Sequence, residues 1–404
     1  MPGIKETILR KSSDLKEEVI KLRRHFHKYP ELSYNETETA LFIIKWMNEN
    51  GIEIRSGIAG TGIIGTIMGN GPGSNVIAIR AEMDALPVTE RNNTDYASLF
   101  PGKMHACGHD AHMAMLLGTA TLLNSIRDQF GGTVLLIFQP GEEKSPGGAK
   151  LMIETGELNN PKPDIFIAQH ILPELETGKV GYKSGRYMAS CDEIYITVSG
   201  KGGHAALPGL TTDQIYIASN LVVRLKDRMA ISQMTRNIPT VLGIGRISGE
   251  GATNVIPEKV EIAGTFRTFD DTWRAEGIGL IKAIAAETAS EFGVKIEVII
   301  AEGYPVLVND ENLTAKAMKF SEELLGKDNI ETFDIRMSSD DFSFYKALAP
   351  SLYFRIGIKR KGDEMRKLHT ADFGIDEEGL ETGVSNLSWL VYNFLSDKNI
   401  SAKK

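Results

Sequence analysis

Helical repeats and apolar runs alternate along the first third of the chain. Apolar residues from Leu15 to Phe26 recur at helical spacing after a cap predicted at residues 12–14, and a second helix is predicted to start at Asn35. Strands are predicted at 62–68, 75–81, 133–138 and 164–168, and the last three are near-continuous apolar runs, typical of strands buried on both faces. A further helix is predicted at 111–125. This alternation favours an α/β sheet.

From about residue 188 the strands instead alternate apolar and polar positions. Strands are predicted at 193–199, 241–248, 260–269 and 294–300, with helices at 213–229 and 273–292. The order β-α-β-β-α-β is that of a ferredoxin-like α+β domain. After residue 304 the first pattern returns, with helices at 313–325 and 378–395 and a strand at 352–358. We therefore predict a discontinuous α/β domain of residues 1–187 and 304–404, interrupted by an inserted domain of residues 188–303.

Composition narrows the function classes. The chain has 404 residues, of which 42% are hydrophobic and 24% are charged, and this balance excludes a disordered scaffold. Its net charge of −8 argues against nucleic-acid binding, and its apolar runs are too short for a membrane span. Two cysteines cannot build a disulfide framework, so we expect a cytoplasmic protein with reduced thiols.

The densest group of chemically capable residues is the segment MHACGHDAH at 104–112. Cys107 and His109 stand two positions apart, so in an extended backbone both side chains can face one metal ion. A helix start with incidental histidines explains the same segment, and the segment alone leaves both interpretations open.

Two adjacent glutamates, Glu142 and Glu143, follow the apolar strand at 133–138. Active sites of α/β sheets lie at such carboxyl ends, and adjacent side chains diverge. One glutamate is therefore expected to bind metal and the other to accept a proton from water. His170 follows another strand and His369 lies in a polar loop, and neither is informative alone. Together the potential donors exceed what one tetrahedral zinc needs and suit two ions.

Several motifs in order resemble the M20 metallopeptidase family, closest to its aminoacylase/amidohydrolase branch. The motifs are RAEMDALP, MHACGHDAHMAMLLG, FQPGEE, GKGGHAALP, TNVIPEKVEIAGTFRTFD and LHTADFGIDEEGL. The likeness runs nearly from end to end. It implies a two-domain fold, in which a mixed-sheet α/β metallohydrolase domain carries an inserted ferredoxin-like lid and dimerisation domain.

The resemblance also implies residue roles. It implies two divalent metal ions (zinc, manganese, cobalt or nickel), with Cys107 as a bridge between them. The implied metal ligands are Cys107, His109, Glu143, His170 and His369. Glu142 matches the general base that acts on a metal-activated water. In the inserted domain, His204 matches a histidine that reaches the active site of the partner subunit, and Asn254 and Arg267 match positions that hold the substrate carboxylate.

The chain departs from its relatives at Glu82, at Gly141 and at Ser339-Asp340-Asp341, where the branch commonly has Ala or Ser followed by Glu-Asp. Glu82 stands where other branches have a ligand histidine, which makes a ligand role for it doubtful, and Asp84 is expected to support ligands. Gly141 replaces a common alanine, with a small effect expected on the loop. His105 and His112 are expected to orient ligands rather than bind metal.

Other residues have simpler interpretations. His25 and His27 are expected at the surface, near the end of their helix, and Cys191 is expected to be a structural thiol.

We therefore predict hydrolysis of the amide bond of N-acyl-amino acids, with a carboxypeptidase or dipeptidase as the alternative. An idle binding protein is disfavoured by the intact donor set, and a dinucleotide-dependent dehydrogenase is disfavoured because no GxGxxG follows the first strand. The expected partner is a small-molecule substrate, without nucleic acid or membrane. The expected assembly is a homodimer or homotetramer formed through the inserted domain.

Overall fold

A computed structural model describes residues 3–397 and residue 400. The α-helices of these residues are α1 (Ile4–Lys28), α2 (Thr37–Glu49), α3 (His109–Ser125), α4 (Gly148–Glu154), α5 (Gln214–Arg236), α6 (Asp271–Phe292), α7 (Glu311–Leu325) and α8 (Gly379–Ser396). The strands are β1 (Glu53–Ile58), β2 (Gly62–Met68), β3 (Gly71–Glu82), β4 (Gly131–Gln139), β5 (Ile165–Glu176), β6 (Val180–Tyr182), β7 (Gly185–Met188), β8 (Asp192–Ser199), β9 (Gly203–His204), β10 (Thr240–Ser248), β11 (Val255–Ile256), β12 (Lys259–Thr268), β13 (Lys295–Ala301), β14 (Leu307–Asn309), β15 (Ile330–Thr332) and β16 (Ser351–Lys359).

The chain divides into two compact units. The first unit comprises Met1–Gly185, Val308–Asp334 and Phe344–Lys404. The second comprises Arg186–Leu307 and Ile335–Ser343.

The first unit is built on an eight-stranded mixed sheet. Its strand order is β1-β2-β4-β3-β5-β16-β6-β15. The central neighbours β4, β3, β5 and β16 run parallel, whereas β1, β2 and β6 introduce antiparallel pairs. The predicted α/β fold class is confirmed. Because the central strands are parallel, their carboxyl ends lie at one edge of the sheet, and the segments that follow them meet there.

Helix α3 is the centre of the first unit's core. Nearly every one of its residues is buried, and α1 and α8 both pack against it. This explains its uniform hydrophobicity, since a helix covered on all sides has no polar face to show. Among the described residues, no helix has the length and apolar character that a membrane crossing requires.

The second unit has a four-stranded antiparallel sheet in the order β10-β12-β8-β13, with α5 and α6 packed against it. Along β8 buried residues alternate with more exposed ones, as a sheet with one covered face requires. The structure confirms the predicted β-α-β-β-α-β order.

Two predictions about the first helices are wrong. Helix α1 begins at Ile4, so residues 12–14 lie inside it, and the buried Ser12 hydroxyl donates to the Ile8 carbonyl at 3.0 Å instead of capping a helix end. Helix α2 begins at Thr37 rather than at Asn35.

The predicted surface position of His27 is also wrong. Its ring is buried between α1 and α3, where Nδ1 lies 2.8 Å from Asp110 Oδ2 and Nε2 lies 3.1 Å from Glu90 Oε1. Arg23, one turn earlier, lies on the same face and also contacts Asp110. Helix α1 buries charged residues here because α3 supplies a matching carboxylate, which a hydrophobic pattern cannot reveal. His25 is partly covered and stacks on Phe42, with ring centroids 4.0 Å apart.

Candidate metal centre

Two adjacent glutamates follow the end of β4 at Gln139. Gly141 adopts a left-handed conformation (φ +56°) that turns the chain, and Glu142 is buried while Glu143 is half-buried. Asp84, just after the parallel neighbour β3, accepts the Glu142 N–H on Oδ1 at 3.1 Å and the Glu143 N–H on Oδ2 at 3.0 Å. One buried carboxylate thus fixes the backbone of both glutamates.

The turn that leads into α3 brings Cys107 and His109 into the same region. Gly108 between them has φ +85°, and a Cβ there would lie 2.0 Å from Ile171 Cδ1, so a side chain at this position would collide with β5. His109 Nδ1 lies 2.8 Å from the Asp84 carbonyl oxygen. A carbonyl only accepts, so Nδ1 carries the proton and Nε2 is left as the electron-pair donor.

The third contribution comes from β5. His170 is buried, and its Nδ1 donates to the Ile171 carbonyl at 2.7 Å. Its Nε2 lies 3.5 Å from Cys107 Sγ. Burial, reinforced by the nearby His112 and Arg355, holds the pKa of His170 well below its usual range. The ring is therefore neutral and can offer Nε2 to a cation.

His369 lies in a loop about two hundred residues beyond His170 along the chain. It has a left-handed backbone (φ +62°), and its N–H donates to the Ala106 carbonyl at 2.8 Å. Its half-exposed ring places Nε2 3.3 Å from Glu143 Oε1. The loop is thus hydrogen-bonded to the segment that carries Cys107, which places a sequence-distant imidazole beside it.

These side chains form two overlapping donor groups. Donor atoms of Cys107, Glu143 and His369 lie within 4.8 Å of one another, and so do those of His109, Glu142 and Glu143. Within the described residues, His109 Nε2 and Glu143 Oε1 are buried and make no hydrogen bond, although imidazole nitrogens of His369 and His109 lie 3.3 Å and 3.9 Å from Glu143 Oε1. Such orphaned atoms are costly unless a cation or water satisfies them. Sulfur, imidazole and carboxylate donors together fit divalent transition metals.

The charges of the pocket favour the same cations. Burial raises the pKa of the Cys107 thiol, and the carboxylates of Glu143 and Glu142 raise it further. Burial alone would lower the pKa of His109, but the Glu82 and Asp84 carboxylates raise it to about 10. A divalent ion would stabilise the thiolate and take the place of the second imidazole proton.

A buried acid that the sequence analysis missed supports the turn at residues 140–143, called here the glutamate turn. Glu36 accepts the Gly141 N–H on Oε1 and the Thr61 hydroxyl on Oε2, each at 2.8 Å. Beside it, the Tyr34 hydroxyl donates to the Lys144 carbonyl at 2.6 Å. Burial raises the pKa of Glu36, and the nearby Asp84 adds to the rise. No local pattern distinguishes Glu36 from a solvated acid, because its distant partners come from the turn between β1 and β2 and from the turn after β4.

The remaining predicted site residues belong to the second unit. His204 in β9 is exposed, and the adjacent Ala205 N–H donates to the carbonyl of Asn254, which is also exposed, at 3.0 Å. Arg267 in β12 is half-buried, with Nη1 donating to the Met337 carbonyl at 2.9 Å. The roles of these three residues stay predictions.

Comparisons with known proteins agree on one family. Residues 78–393 match Peptidase family M20/M25/M40. N-acetyl-L-cysteine deacetylase of Bacillus subtilis (strain 168) is 37% identical over 400 residues, covering 97% of this chain and 91% of that protein. An N-acyl-L-amino acid amidohydrolase of Geobacillus stearothermophilus is 40% identical over 309 residues, covering 76% and 82%.

A solved structure agrees with these relatives. It is a dinuclear metal-binding peptidase of the M20 family from Bacillus subtilis, 32% identical, with a TM-score of 0.80. The match covers 95% of this chain and 99% of that one.

Proposed function

Because the chain belongs to peptidase family M20/M25/M40, we propose that it hydrolyses the amide bond between an acyl group and the nitrogen of an amino acid. It is a metal-dependent hydrolase of amide bonds. One observation carries the proposal: Cys107, Glu143 and His369 bring their donor atoms within 4.8 Å of one another, next to a second glutamate.

The cofactors are two divalent metal ions, of zinc, manganese, cobalt or nickel. The residues proposed to hold them, with the thiolate shared, are Cys107, His109, Glu143, His170 and His369. Such ions polarise a carbonyl oxygen and make water a stronger acid. Since Cys107 must stay reduced to bind metal and neither cysteine forms a disulfide, a reducing compartment such as the cytoplasm is proposed.

Glu142 is proposed as the general base. One carboxylate oxygen takes a proton from the water that attacks the amide carbon, and the same proton passes to the amine nitrogen as the C–N bond breaks. Two observations support this role: Glu142 is buried, and Asp84 fixes its backbone N–H at 3.1 Å. Its neighbour Glu143 has a buried oxygen, Oε1, that makes no hydrogen bond and lies 3.3 Å from His369 Nε2, which suits a metal ligand.

The second unit is proposed to recognise the substrate. The planar guanidinium of Arg267 can pair bidentately with the free carboxylate of an amino acid, and Asn254 can add an amide hydrogen bond. His204 is proposed to serve the active site of a partner subunit by stabilising the tetrahedral oxyanion. Its exposure supports a role at an interface between subunits.

The role of Glu142 is tested by Glu142→Gln, which removes the base and keeps the side chain's size. We expect two metal ions per chain to remain bound, and kcat to fall by about 100-fold or more because general base catalysis is lost. Metal analysis and steady-state kinetics on an N-acetyl-amino acid measure both quantities. Near-normal kcat in the variant would show that another group is the base.

A substrate panel separates the proposal from its alternative. We expect kcat/KM for N-acetyl- and N-benzoyl-amino acids to exceed that for dipeptides with a free C-terminus. The reverse order would identify a carboxypeptidase or dipeptidase.

Sharing of the active site between subunits can be tested by mixing two inactive chains. In a heterodimer of His204→Ala with Glu142→Gln, one of the two sites receives an intact His204 and an intact Glu142. We expect activity to return to roughly half per mixed dimer, from this one-in-two arithmetic. Mixed dimers verified by mass that stay inactive would place His204 outside the partner's site.

A further inference from the structure

A histidine that is not among the proposed metal ligands lies directly behind them. His112, in the first turn of α3, is fully buried, and its ring centroid lies 4.4 Å from that of His170. A donor atom of His112 lies within 4.8 Å of donor atoms of Glu82, His109 and His170, so distance alone would allow a ligand role.

The hydrogen bonds of His112 argue against that ligand role. Its Nδ1 lies 2.8 Å from Glu82 Oε2, and its Nε2 lies 3.0 Å from the backbone nitrogen of Ile171. A peptide N–H can only donate, so Nε2 accepts and the ring proton resides on Nδ1, from which it is donated to Glu82. Both ring nitrogens are thereby engaged, and neither electron pair is left for a cation.

The end of the β3–β5 ladder explains why Ile171 needs this partner. Strand β3 pairs with β5 from Ile77↔Ile165 to Arg80↔Ala168 and no further, whereas β16 continues along the other side of β5 past Ile171. On the β3 side the Ile171 N–H therefore has no strand to bond. The imidazole of His112 occupies the place of the missing strand and satisfies a buried donor.

This peptide group connects directly to a proposed metal ligand. The Ile171 carbonyl accepts the Nδ1 proton of His170 at 2.7 Å, which leaves His170 Nε2 facing Cys107. Glu82 is itself anchored by the fully buried Arg80, whose Nε donates to Gln139 at 3.0 Å. A line of buried polar groups thus runs from the sheet to the imidazole of His170.

We propose that Glu82 and His112 form a positioning pair that sets the orientation and tautomer of His170 as a metal ligand. The inference rests on the proposed role of His170 in the metal centre. It assigns Glu82, at the position that is a ligand histidine in other branches, to holding His112 instead of binding an ion. When a residue that supports a metal ligand without touching the metal is mutated, metal affinity typically falls by about 10–100-fold.

The test replaces His112 with two residues of different chemistry. His112→Leu keeps apolar bulk and removes both hydrogen bonds, whereas His112→Gln keeps an acceptor near the position of Nε2. We expect the Leu variant to bind one of its two Zn²⁺ ions about 10–100-fold more weakly, and the Gln variant to recover most of that affinity. Chelator competition on the full chain measures both affinities without any substrate.

A spectroscopic measurement separates positioning from general stability. With Co²⁺ alone as the probe, the visible absorption bands should shift in His112→Leu because the His170 ring reorients. Leu117→Ala is the control for general stability, since Leu117 is fully buried in the hydrophobic core on the same helix and is not among the proposed metal ligands or their supports. It should leave the bands and both affinities unchanged.

Two results would contradict the proposal that Glu82 and His112 position His170. One is a folded His112→Leu chain with both Zn²⁺ affinities and the Co²⁺ spectrum unaltered. The other is an equal loss of affinity in His112→Leu and Leu117→Ala, matched by an equal fall in the unfolding midpoint of the metal-free chains. Failure of the proposed function can be distinguished from this. Near-normal kcat in Glu142→Gln would contradict the proposed base but would not change the metal affinities or the Co²⁺ spectrum of the His112 variants.

Discussion

At the scale of single residues, Gly141 illustrates how a missing side chain shapes the site. Its left-handed backbone (φ +56°) starts the glutamate turn, and a Cβ there would lie 2.2 Å from Tyr34 Cε1. The Tyr34 ring therefore packs where a larger residue would place its side chain. From the sequence we expected only a small effect of this glycine on the loop, whereas the contact ties its size to the position of Glu142.

Gly141→Ala should accordingly impair both stability and catalysis. Left-handed backbone costs an alanine roughly 1–2 kcal/mol, and displacement of Tyr34 adds to that loss. We expect kcat to fall by about 10–100-fold, since small displacements of a catalytic group are expensive. Urea unfolding and steady-state kinetics measure the two effects.

Gly178→Ala is the matched control for this substitution. Gly178 also has a left-handed backbone (φ +89°), but a Cβ there would meet no atom within 4 Å. Gly178→Ala should lose only the stability that a left-handed backbone costs an alanine, and its kcat should not change. An equal fall in kcat in the two variants would show that the contact with Tyr34 does not cause the loss of activity in Gly141→Ala.

At the scale of elements, α1 and α3 are joined by a buried ionic cluster. Arg23 Nε and His27 Nδ1 each lie 2.8 Å from Asp110 Oδ2, and Asp110 directly follows His109. Burial would raise the pKa of Asp110, but Arg23 and His27 hold it well below its usual range. The i,i+4 spacing of the two α1 residues was visible in the sequence, but the carboxylate they meet was not.

Arg23→Met should weaken the docking of α1. The change leaves a buried carboxylate with one fewer cation, and breaking a buried pair in this way typically costs about 3–5 kcal/mol. The urea midpoint of the metal-free chain measures the loss.

Arg10→Met on the same helix is the control. Arg10 pairs with Asp14 at 3.2 Å, and both side chains are largely exposed. Exposed i,i+4 pairs contribute about 0.3–0.5 kcal/mol, so the midpoint should barely move. Similar shifts in the two variants would mean that the cluster does not stabilise α1.

At the scale of the whole molecule, the proposed centre joins the carboxyl ends of strands, the start of a helix and a distant loop. An ion bound to these segments should stabilise the folded chain, because the unfolded chain does not hold the donors together. His369 contributes from the far end of the chain, held by its hydrogen bond to Ala106.

Removal of metal by a chelator should therefore lower Tm. At an ion concentration of 100 Kd, one bound ion contributes about 2.7 kcal/mol. Cys107→Ser should lose most of this metal-dependent gain, since a serine hydroxyl is a poor substitute for a thiolate. Differential scanning calorimetry with and without Zn²⁺ measures it.

The second cysteine supplies the control. Cys191 is unpaired and belongs to the second unit, so Cys191→Ser should keep the full metal-dependent gain in Tm. An undiminished gain in Cys107→Ser would exclude the thiol as a shared ligand.

By itself, the sequence determined the α/β class, the β-α-β-β-α-β order and the family, because helix and strand periods and ordered motifs are local properties. It could not show that His27 is buried against Asp110, that Glu36 holds the turn before Glu142, or that His112 lies between Glu82 and Ile171. Only the tertiary structure decided these contacts. Their partners lie between 30 and 105 positions apart along the chain, and strand order, register and the packing of the helices determine which of them meet.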